Sequence, residues 1–548
     1  MQRPWRIALL GALIAAVLTL PGLGTGTLWD NSETAYGEVA REILLFHDGV
    51  VMHLNGAPWF VQPPLYFWVA ALFGKVFGVG SLAFRLPSAL ATIAMSAMTG
   101  YAVTRAAGAR AGAFAAIILS TSLMQAIVGR LAIMDALLDL TIALTIFWWY
   151  RGLQTGADKY FIWGWIAAAF GCLAKGPVAL AAALLVIVPF YVWNRRAAAT
   201  FAPSLRATAL GLGAFALIVA PWFSALAARA GGAALAQMIG HYTFGRYTGT
   251  IENQGGALWY YVPVLVIALF PWVAFLPAAL LYAANQLRAQ PPDDDVRPLL
   301  RLAVVWVVLP LAFFSLAKTK LPNYIALELP GLALLIALYF DSVVKRYRRR
   351  SLLISAAAIP ITIGLIAAAI VIFSHENRLG AGAHQLAGDL LAVGAMIFAG
   401  SVLATVMFMS ARTVVAGPVA LGAGATLSIF ILAVFALPVA ERFKPVPRLA
   451  SIIQAQRRAG DAVAIQGVPG GNALVFYTQP GVQTLAAADV PHPVELQNPR
   501  TVICRAARTF VVTSKRRPRF DPTFGRERTL VASDNNDILL RYDGPPCK

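Results

Sequence analysis

The sequence predicts an all-α polytopic membrane protein of about thirteen transmembrane helices, followed by a small C-terminal α/β domain. Three observations carry that expectation. Of 548 residues, 59% are hydrophobic and only 13% charged, about half the charged share of soluble domains. The apolar residues fall in runs of spanning length, and the mean hydropathy is +0.69. After Pro438 the composition returns to ordinary soluble levels of charge, Pro, Gly and Asn. A cytosolic globular protein, a disordered chain and a disulfide-built scaffold are thereby excluded. The 44 Lys and Arg against 25 Asp and Glu leave a net charge of +19. In a soluble protein that would suggest nucleic acid. Here the cations lie between apolar runs, where they set topology, so no nucleic-acid partner is expected.

The first run, residues 5–24, follows Arg3 and Arg6 and lacks a small-x-small cleavage site. It reads as an uncleaved first span with a cytoplasmic amino end. Further runs lie at 82–104, 112–130, 136–150, 160–174, 178–193, 205–226, 258–283, 299–317, 324–340, 352–373, 388–409 and 414–440. Residues 65–80 are apolar but short, begin after Pro63-Pro64 and contain Lys75. If they crossed, the cationic loops at Arg105/Arg110, Arg151/Lys159, Arg195/Arg196, Arg288/Arg297 and 345–350 would alternate between sides. Laid along the interface as a juxtamembrane or re-entrant helix, they leave all those cations in the cytoplasm.

That choice divides the chain into a membrane domain at 1–440 and an exterior domain at 441–548. The exterior loops are then 25–81, 227–257 and 318–323, with shorter ones at 129–135 and 175–177. They carry the unusual polar residues, and polarity gathered on one face reads as one active site. In the exterior domain, strands are expected at 462–466, 509–513 and 538–542 and a helix at 449–458. No internal repeat is visible, unlike the paired halves of many secondary transporters. Cys172 reads as core packing; Cys504 and Cys547 have the option of pairing in an oxidising compartment.

The first loop opens with Asp30 and Glu33 at the start of a helical stretch whose apolar stripe is Tyr36, Val39, Ala40, Ile43 and Leu44. The stripe suits an interfacial helix. On spacing alone the two acids are simply a helix cap, favoured by the dipole. The second loop supplies Arg130 and Asp135. A carboxylate between apolar runs costs about 2.5–3.5 kcal/mol at membrane depth, so Asp135 should be paired or functional. Asp139, one turn on, has a structural alternative. His47 and His53 have metal-ligand spacing of a weak kind, and interfacial histidines are commoner; no metal site is assigned. Residues 252–256 read either as a mobile loop or as an ordinary turn.

The motifs Trp29-Asp30-x-Ser32-Glu33-x-x-Tyr36-x-Glu38-x-Ala40-Arg41-Glu42, Leu54-Asn55-Gly56, Pro63-Pro64-Leu65 and Ala83-Phe84-Arg85-Leu86-Pro87-Ser88 occur in order. They are followed by Ala174-Lys175-Gly176-Pro177, Pro221-Trp222, His241 to Arg246, Trp259-Tyr260-Tyr261 and Phe313-Phe314-Ser315-x-x-Lys318-x-Lys320-Leu321-Pro322-x-Tyr324. This set resembles the bacterial membrane glycosyltransferases related to protein O-mannosyltransferases and to the lipid A aminoarabinose transferase. The resemblance covers the chain to about residue 340 and implies a GT-C architecture. It further implies transfer of a sugar from a polyprenyl-phosphate donor to a glycolipid or protein acceptor. The setting is the periplasmic face of the inner membrane, with a cytoplasmic N-terminus and a periplasmic C-terminal domain. It places the catalytic carboxylates at Asp30, Glu33 and Asp135, and the donor-phosphate groups at Arg246, Lys318, Lys320 and Tyr324. Arg85, Arg130, Lys175 and His241 are further substrate-binding candidates.

The chemistry matches those residue types. A phosphate leaves without an acid to protonate it, so its developing charge calls for preorganised cations. An acceptor hydroxyl or phosphate must be oriented and, if a hydroxyl, deprotonated by a carboxylate base. No organic cofactor is implied, and the residues leave a divalent metal requirement open. The chain departs from the aminoarabinose pattern twice: Ser32 stands where an Asp precedes Glu33, and Gln62 stands where a Lys precedes Pro63. Gln62 is no cation, so the phosphate is expected to be held differently, and the resemblance stops short of naming the sugar. A transporter or flippase of lipid-linked sugars is the reading from another class.

Overall fold

The computed structural model describes residues 3–29, 32–195, 201–251, 254–289, 296–346, 349–374, 381–441, 444–468, 471–478, 482–484, 497–515, 524–534 and 537–545. It is a mainly helical membrane protein with a small C-terminal sheet. Among the described residues, six helices are long and apolar enough to cross a membrane, or eight if each of two bent pairs is one span. Four shorter apolar helices accompany them, Leu65–Phe77 included.

Two runs that the sequence reads as single spans are broken. Residues 112–130 form Ala109–Thr121 and Leu123–Arg130, bent by 57°, and 258–283 form Tyr261–Ala268 and Trp272–Arg288, bent by 110°. At the first break Ser122 is extended, with ψ 132°, and its hydroxyl bonds back to the Ile118 carbonyl. Such local bonds compete with the helical ladder. At the second, Pro271 has no N–H with which to continue it. Counting apolar residues cannot reveal either break.

The chain divides into two compact units, neither continuous in sequence. One comprises Met1–Leu23, Phe60–Tyr66 and Arg85–Ala436; the other comprises Gly24–Trp59, Phe67–Phe84 and Leu437–Lys548. In the first, helices Asp135–Thr155 and Asp158–Lys175 form a hairpin. Gly156 turns the chain with φ 68°, a left-handed conformation that suits glycine. The helices are 21 and 18 residues long, about 31 and 27 Å at 1.5 Å per residue. Their free ends, Asp135 and Lys175, therefore return to one level.

The second unit holds a hairpin of strands β1 (His53–Leu54) and β2 (Ala57–Pro58) and a five-stranded sheet. The sheet strands are β3 (Ala462–Gln466), β4 (Val482–Thr484), β5 (Arg508–Ser514), β6 (Glu527–Asp534) and β7 (Asp537–Asp543), ordered β4-β3-β5-β7-β6. β3 pairs in parallel with β4 and β5, while β7 pairs antiparallel with β5 and β6. Alternation sends Val463, Ile465, Phe510, Val512 and Leu539 to one face, under Leu449 and Ile453 of the Pro445–Gln456 helix. Ala464, Val511, Leu540 and Tyr542 pack on Val502 and Ile503 on the other. The strands expected at 462–466, 509–513 and 538–542 are present; the two edge strands are additions, the three-residue β4 and β6, whose apolar run Leu530-Val531-Ala532 is short and flanked by charged and polar residues. Cys504 is held in a disulfide, and Cys547 lies outside the described residues.

In the Asp135–Lys175 hairpin, a Cβ on Gly164 would stand 2.2 Å from Trp149 Cδ1. Gly164→Ala is expected to lower stability by about 1–3 kcal/mol through overpacking. Thermal melting in detergent reads this, and an unchanged midpoint counts against the close approach.

Candidate active site

Asp135 begins its helix and Lys175 ends the partner helix, so each charge lies where the helix dipole favours it. Lys175 Nζ donates to Asp135 Oδ1 at 2.5 Å, and both side chains are largely buried. The same ammonium stands 5.2 Å from the Tyr324 ring centroid. Tyr324 lies in the 3₁₀ segment Pro322–Glu328, its ring 5.3 Å from that of Phe314. The structure thus joins three residues that the sequence holds in separate motifs.

A second group lies where two loops of the same unit zip together. Lys318 N donates to Tyr247 O, Thr319 N to Arg246 O and Lys320 N to Gln254 O. The fully buried Thr319 hydroxyl donates to Gly249 O and accepts from Ile251 N. This backbone zip brings Arg246 alongside Lys318. Arg246 also donates to Gln254 Oε1 at 3.1 Å and lies over the Tyr242 ring. His241 packs edge-on against Tyr242. Of residues 252–256, Glu252 and Asn253 lie outside the described residues, while Gln254 and Gly255 belong to this zip.

Several predicted cations have backbone partners. Lys320 Nζ donates to the carbonyls of Ser315 and Ala317, each at 2.6 Å, and more distantly to Phe314 O. Those are the orphan acceptors at a helix end. Burial, then the neighbouring Lys318, pulls the Lys320 pKa down. Arg130 NH1 donates to the carbonyls of Leu18, Thr19 and Pro21, closing the end of the first helix. Arg85 donates to Leu23 O. Two buried acids need notice beside them: Asp139 Oδ2 and both Glu328 oxygens have no hydrogen-bond partner among the described residues. Glu328 was invisible as a candidate because it reads as one acid inside an apolar span.

In the other unit, Asp30 lies outside the described residues. Glu33 is buried, and its Oε2 accepts from Trp29 N at 2.6 Å, as a cap does. The Ser32–Phe46 helix differs from the expected interfacial one. Val39 and Ala40 are buried as the stripe requires, but so are Glu38, Arg41 and Glu42. Arg41 pairs with Glu38 through Nε at 2.9 Å and a second, shorter contact. Glu42 accepts from Gly56 N at 3.0 Å, which ties the helix to the β1–β2 turn. The signal was present: Glu38 and Glu42 are like charges four apart, unfavourable on a lone helix. His53 packs against Phe46, and no group of three or more potential metal ligands occurs among the described residues.

The fold has the GT-C architecture that the resemblance implied. It matches the crystal structure of ArnT from Cupriavidus metallidurans bound to undecaprenyl phosphate with a TM-score of 0.80, at 20% identity over 97% of each chain. The family model for dolichyl-phosphate-mannose-protein mannosyltransferase matches residues 61–224. The undecaprenyl phosphate-α-4-amino-4-deoxy-L-arabinose arabinosyl transferase of Aeromonas hydrophila is 30% identical, over 68% of this chain and 67% of its own. The Serratia proteamaculans enzyme of that name is also 30% identical, over 64% of this chain and 62% of its own. The chain therefore belongs to the lipid A aminoarabinose transferase family. The matched stretch spans about three fifths of the Serratia relative.

Burial, followed by hydrogen bonding to and repulsion from Glu38, pushes the Glu42 carboxyl from its ordinary 4.5 up to about 7. Between those values the folded unit binds a proton that the unfolded chain has lost. Stability from this group is thus complete below about pH 4.5 and is lost as pH rises through 7. Melting followed across that window should show the decline, and Glu42→Gln should flatten it. An equal slope in the variant would assign the effect elsewhere.

Proposed function

We propose that the protein transfers a sugar from a polyprenyl-phosphate donor, undecaprenyl phosphate by analogy with its relatives, to a glycolipid acceptor such as lipid A. The reaction takes place on the periplasmic face of the inner membrane, with the N-terminus cytoplasmic and residues 441–548 periplasmic. About thirteen spans remain our reading of the topology. The observation that carries the function is the buried Asp135–Lys175 pair beside Tyr324, at one end of a membrane hairpin. A buried ion pair is weak evidence for stability, because desolvation offsets its attraction. Its place at a helix-end cluster beside Tyr324 fits a chemical role.

In this reading Asp135 orients and deprotonates the acceptor hydroxyl, and Lys175 fixes that carboxylate. Arg246 and Lys318, aligned by the loop zip, meet the charge that grows on the departing phosphate, with Tyr324 as a hydrogen-bond donor. Lys320 shapes the loop through its carbonyl contacts. Asp30 and Glu33 are the remaining carboxylates, and His241 lies close in sequence to Arg246. The sugar is left unnamed, since Ser32 and Gln62 differ from the aminoarabinose pattern. The mannosyltransferase match favours one rival, a protein hydroxyl as acceptor.

Purified protein given radiolabelled lipid-linked sugar with lipid A or peptide decides among these. Label fixed to lipid A supports the proposal, and label on peptide supports the rival. Translocation without a new glycosidic bond points to a flippase. Asp135→Asn should reduce transfer per folded molecule by about 10²-fold or more, beyond any loss of folded protein from the unpaired Lys175; near-normal turnover per folded molecule would remove Asp135 from the site. Arg246→Ala should raise the donor KM on the order of tenfold by deleting a charge-assisted contact. Unchanged donor affinity would reject its phosphate role.

A further inference from the structure

We propose that Glu441, Lys444 and Tyr477 are positioning residues for the acidic end of the first exterior loop, acting through Thr27, Leu28 and Trp29 on Glu33. The proposal rests on the reading of that loop as part of a transfer site. It gives the C-terminal segment a task in the reaction that neither the resemblance nor the relatives' names assign.

Three successive backbone N–H groups of the strap formed by residues 26–29 each find a side chain. Thr27 N donates to Glu441 Oε2 at 3.0 Å, Leu28 N to the Tyr477 hydroxyl at 2.7 Å, and Trp29 N to Glu33 Oε2 at 2.6 Å. The Thr27 hydroxyl adds a second bond to Glu441 Oε2 at 2.7 Å. Lys444 Nζ then closes the clamp. It donates to Glu441 Oε1 at 2.5 Å and to Thr27 O at 3.2 Å, and stands 3.6 Å from the Trp29 ring centroid. An ammonium at that distance over an indole is held by the ring quadrupole, more strongly as water is excluded. Lys444 is 13% exposed, so this is no loose surface pair.

The strap is built for this contact. Gly26 has φ 75°, and a Cβ there would lie 2.7 Å from the Glu441 carboxyl carbon. Only a glycine lets the backbone turn so close to that acid. Mere docking of the C-terminal segment would be served by apolar contacts, and Phe84 against Phe476 already supplies one. The polar clamp does something else. It fixes the Trp29 amide that holds the Glu33 carboxylate, and it fixes the residue directly before Asp30.

The test compares Lys444→Met, Lys444→Arg and Tyr477→Phe with the wild type in the full-length protein. Three quantities are read: hydrogen exchange at residues 27–29, donor KM against kcat, and the pH profile of kcat. In Lys444→Met we expect faster exchange at 27–29 and kcat lower on the order of tenfold, as misplacement of a reacting group produces. Donor KM should stay within about twofold, because the phosphate contacts lie elsewhere, and the acidic limb of the pH profile should shift. Lys444→Arg, which keeps a cation over the indole, should recover most of kcat. Tyr477→Phe, which removes a single hydroxyl, should show the same pattern more weakly. Unchanged exchange, or unchanged kcat despite faster exchange, overturns the proposal. A fall in kcat and melting temperature shared equally by Lys444→Arg also overturns it, as that marks simple structural damage. A wild type that transfers no sugar overturns the transferase reading instead, and the clamp is then judged on exchange alone.

Discussion

The structure of the membrane unit depends on satisfying charge where water is scarce. Asp135 and Lys175 show how this is done: two helices of unequal length, turned at Gly156, end level with each other, and their terminal side chains meet at 2.5 Å. Each ion has the helix pole it prefers as well as its partner. Removing one member would leave the other charged and alone, which is far costlier than losing both. The pair thereby fixes the register of the hairpin and holds a carboxylate at the open end of it. Structure and chemistry use the same two residues.

A related constraint governs the cations that cap helix ends. Arg130 gathers three carbonyls at the close of the first helix, and Lys320 gathers those left open where Arg297–Leu316 stops. The last carbonyls of any helix lack intrahelical partners. In a membrane protein a long basic side chain is one of few donors able to reach them. These contacts set the loops at 245–255 and 316–320 so that Thr319 can bridge them with its one hydroxyl. Arg246 and Lys318 owe their proximity to that arrangement.

The sequence made much of this legible, and the limits were physical. The strands of the C-terminal domain were readable because β-branched and aromatic residues alternate there. The edge strands β4 and β6 were not, because the first is three residues long and the second has no period-two alternation, its apolar residues standing in one short run between charged ends. Asp135 was conspicuous as an acid between apolar runs, but its partner was forty residues away and needed the hairpin to be found. The bends at Ser122 and Pro271 were hidden, since apolarity continues through them. Arg130 and Lys320 were recognised by sign of charge alone. Whether a cation serves a ligand or a row of carbonyls depends on where helices stop, which composition does not report. The buried Glu38–Arg41–Glu42 group was masked by an adequate apolar stripe on the same helix.

Transfer and transport make different demands on a membrane helix pair. A carrier for a lipid-linked sugar needs polar groups spaced through the hydrocarbon, so that the head group is never without partners. In the Asp135–Lys175 hairpin the charges occupy only the two ends: Asp135, Asp139 and Lys175 at one, Arg151, Asp158 and Lys159 at the other. The eleven residues from 140 to 150 lie between, about 16 Å of helix without a charge. Their buried polar atoms include the Thr141 and Thr145 hydroxyls turned back onto their own helix, the Trp149 indole N–H donating to Phe161 O, and the Tyr150 hydroxyl bonded by Gln154. Such a pair favours a substrate that stays at the Asp135–Lys175 end, where the carboxylate and the ammonium already are.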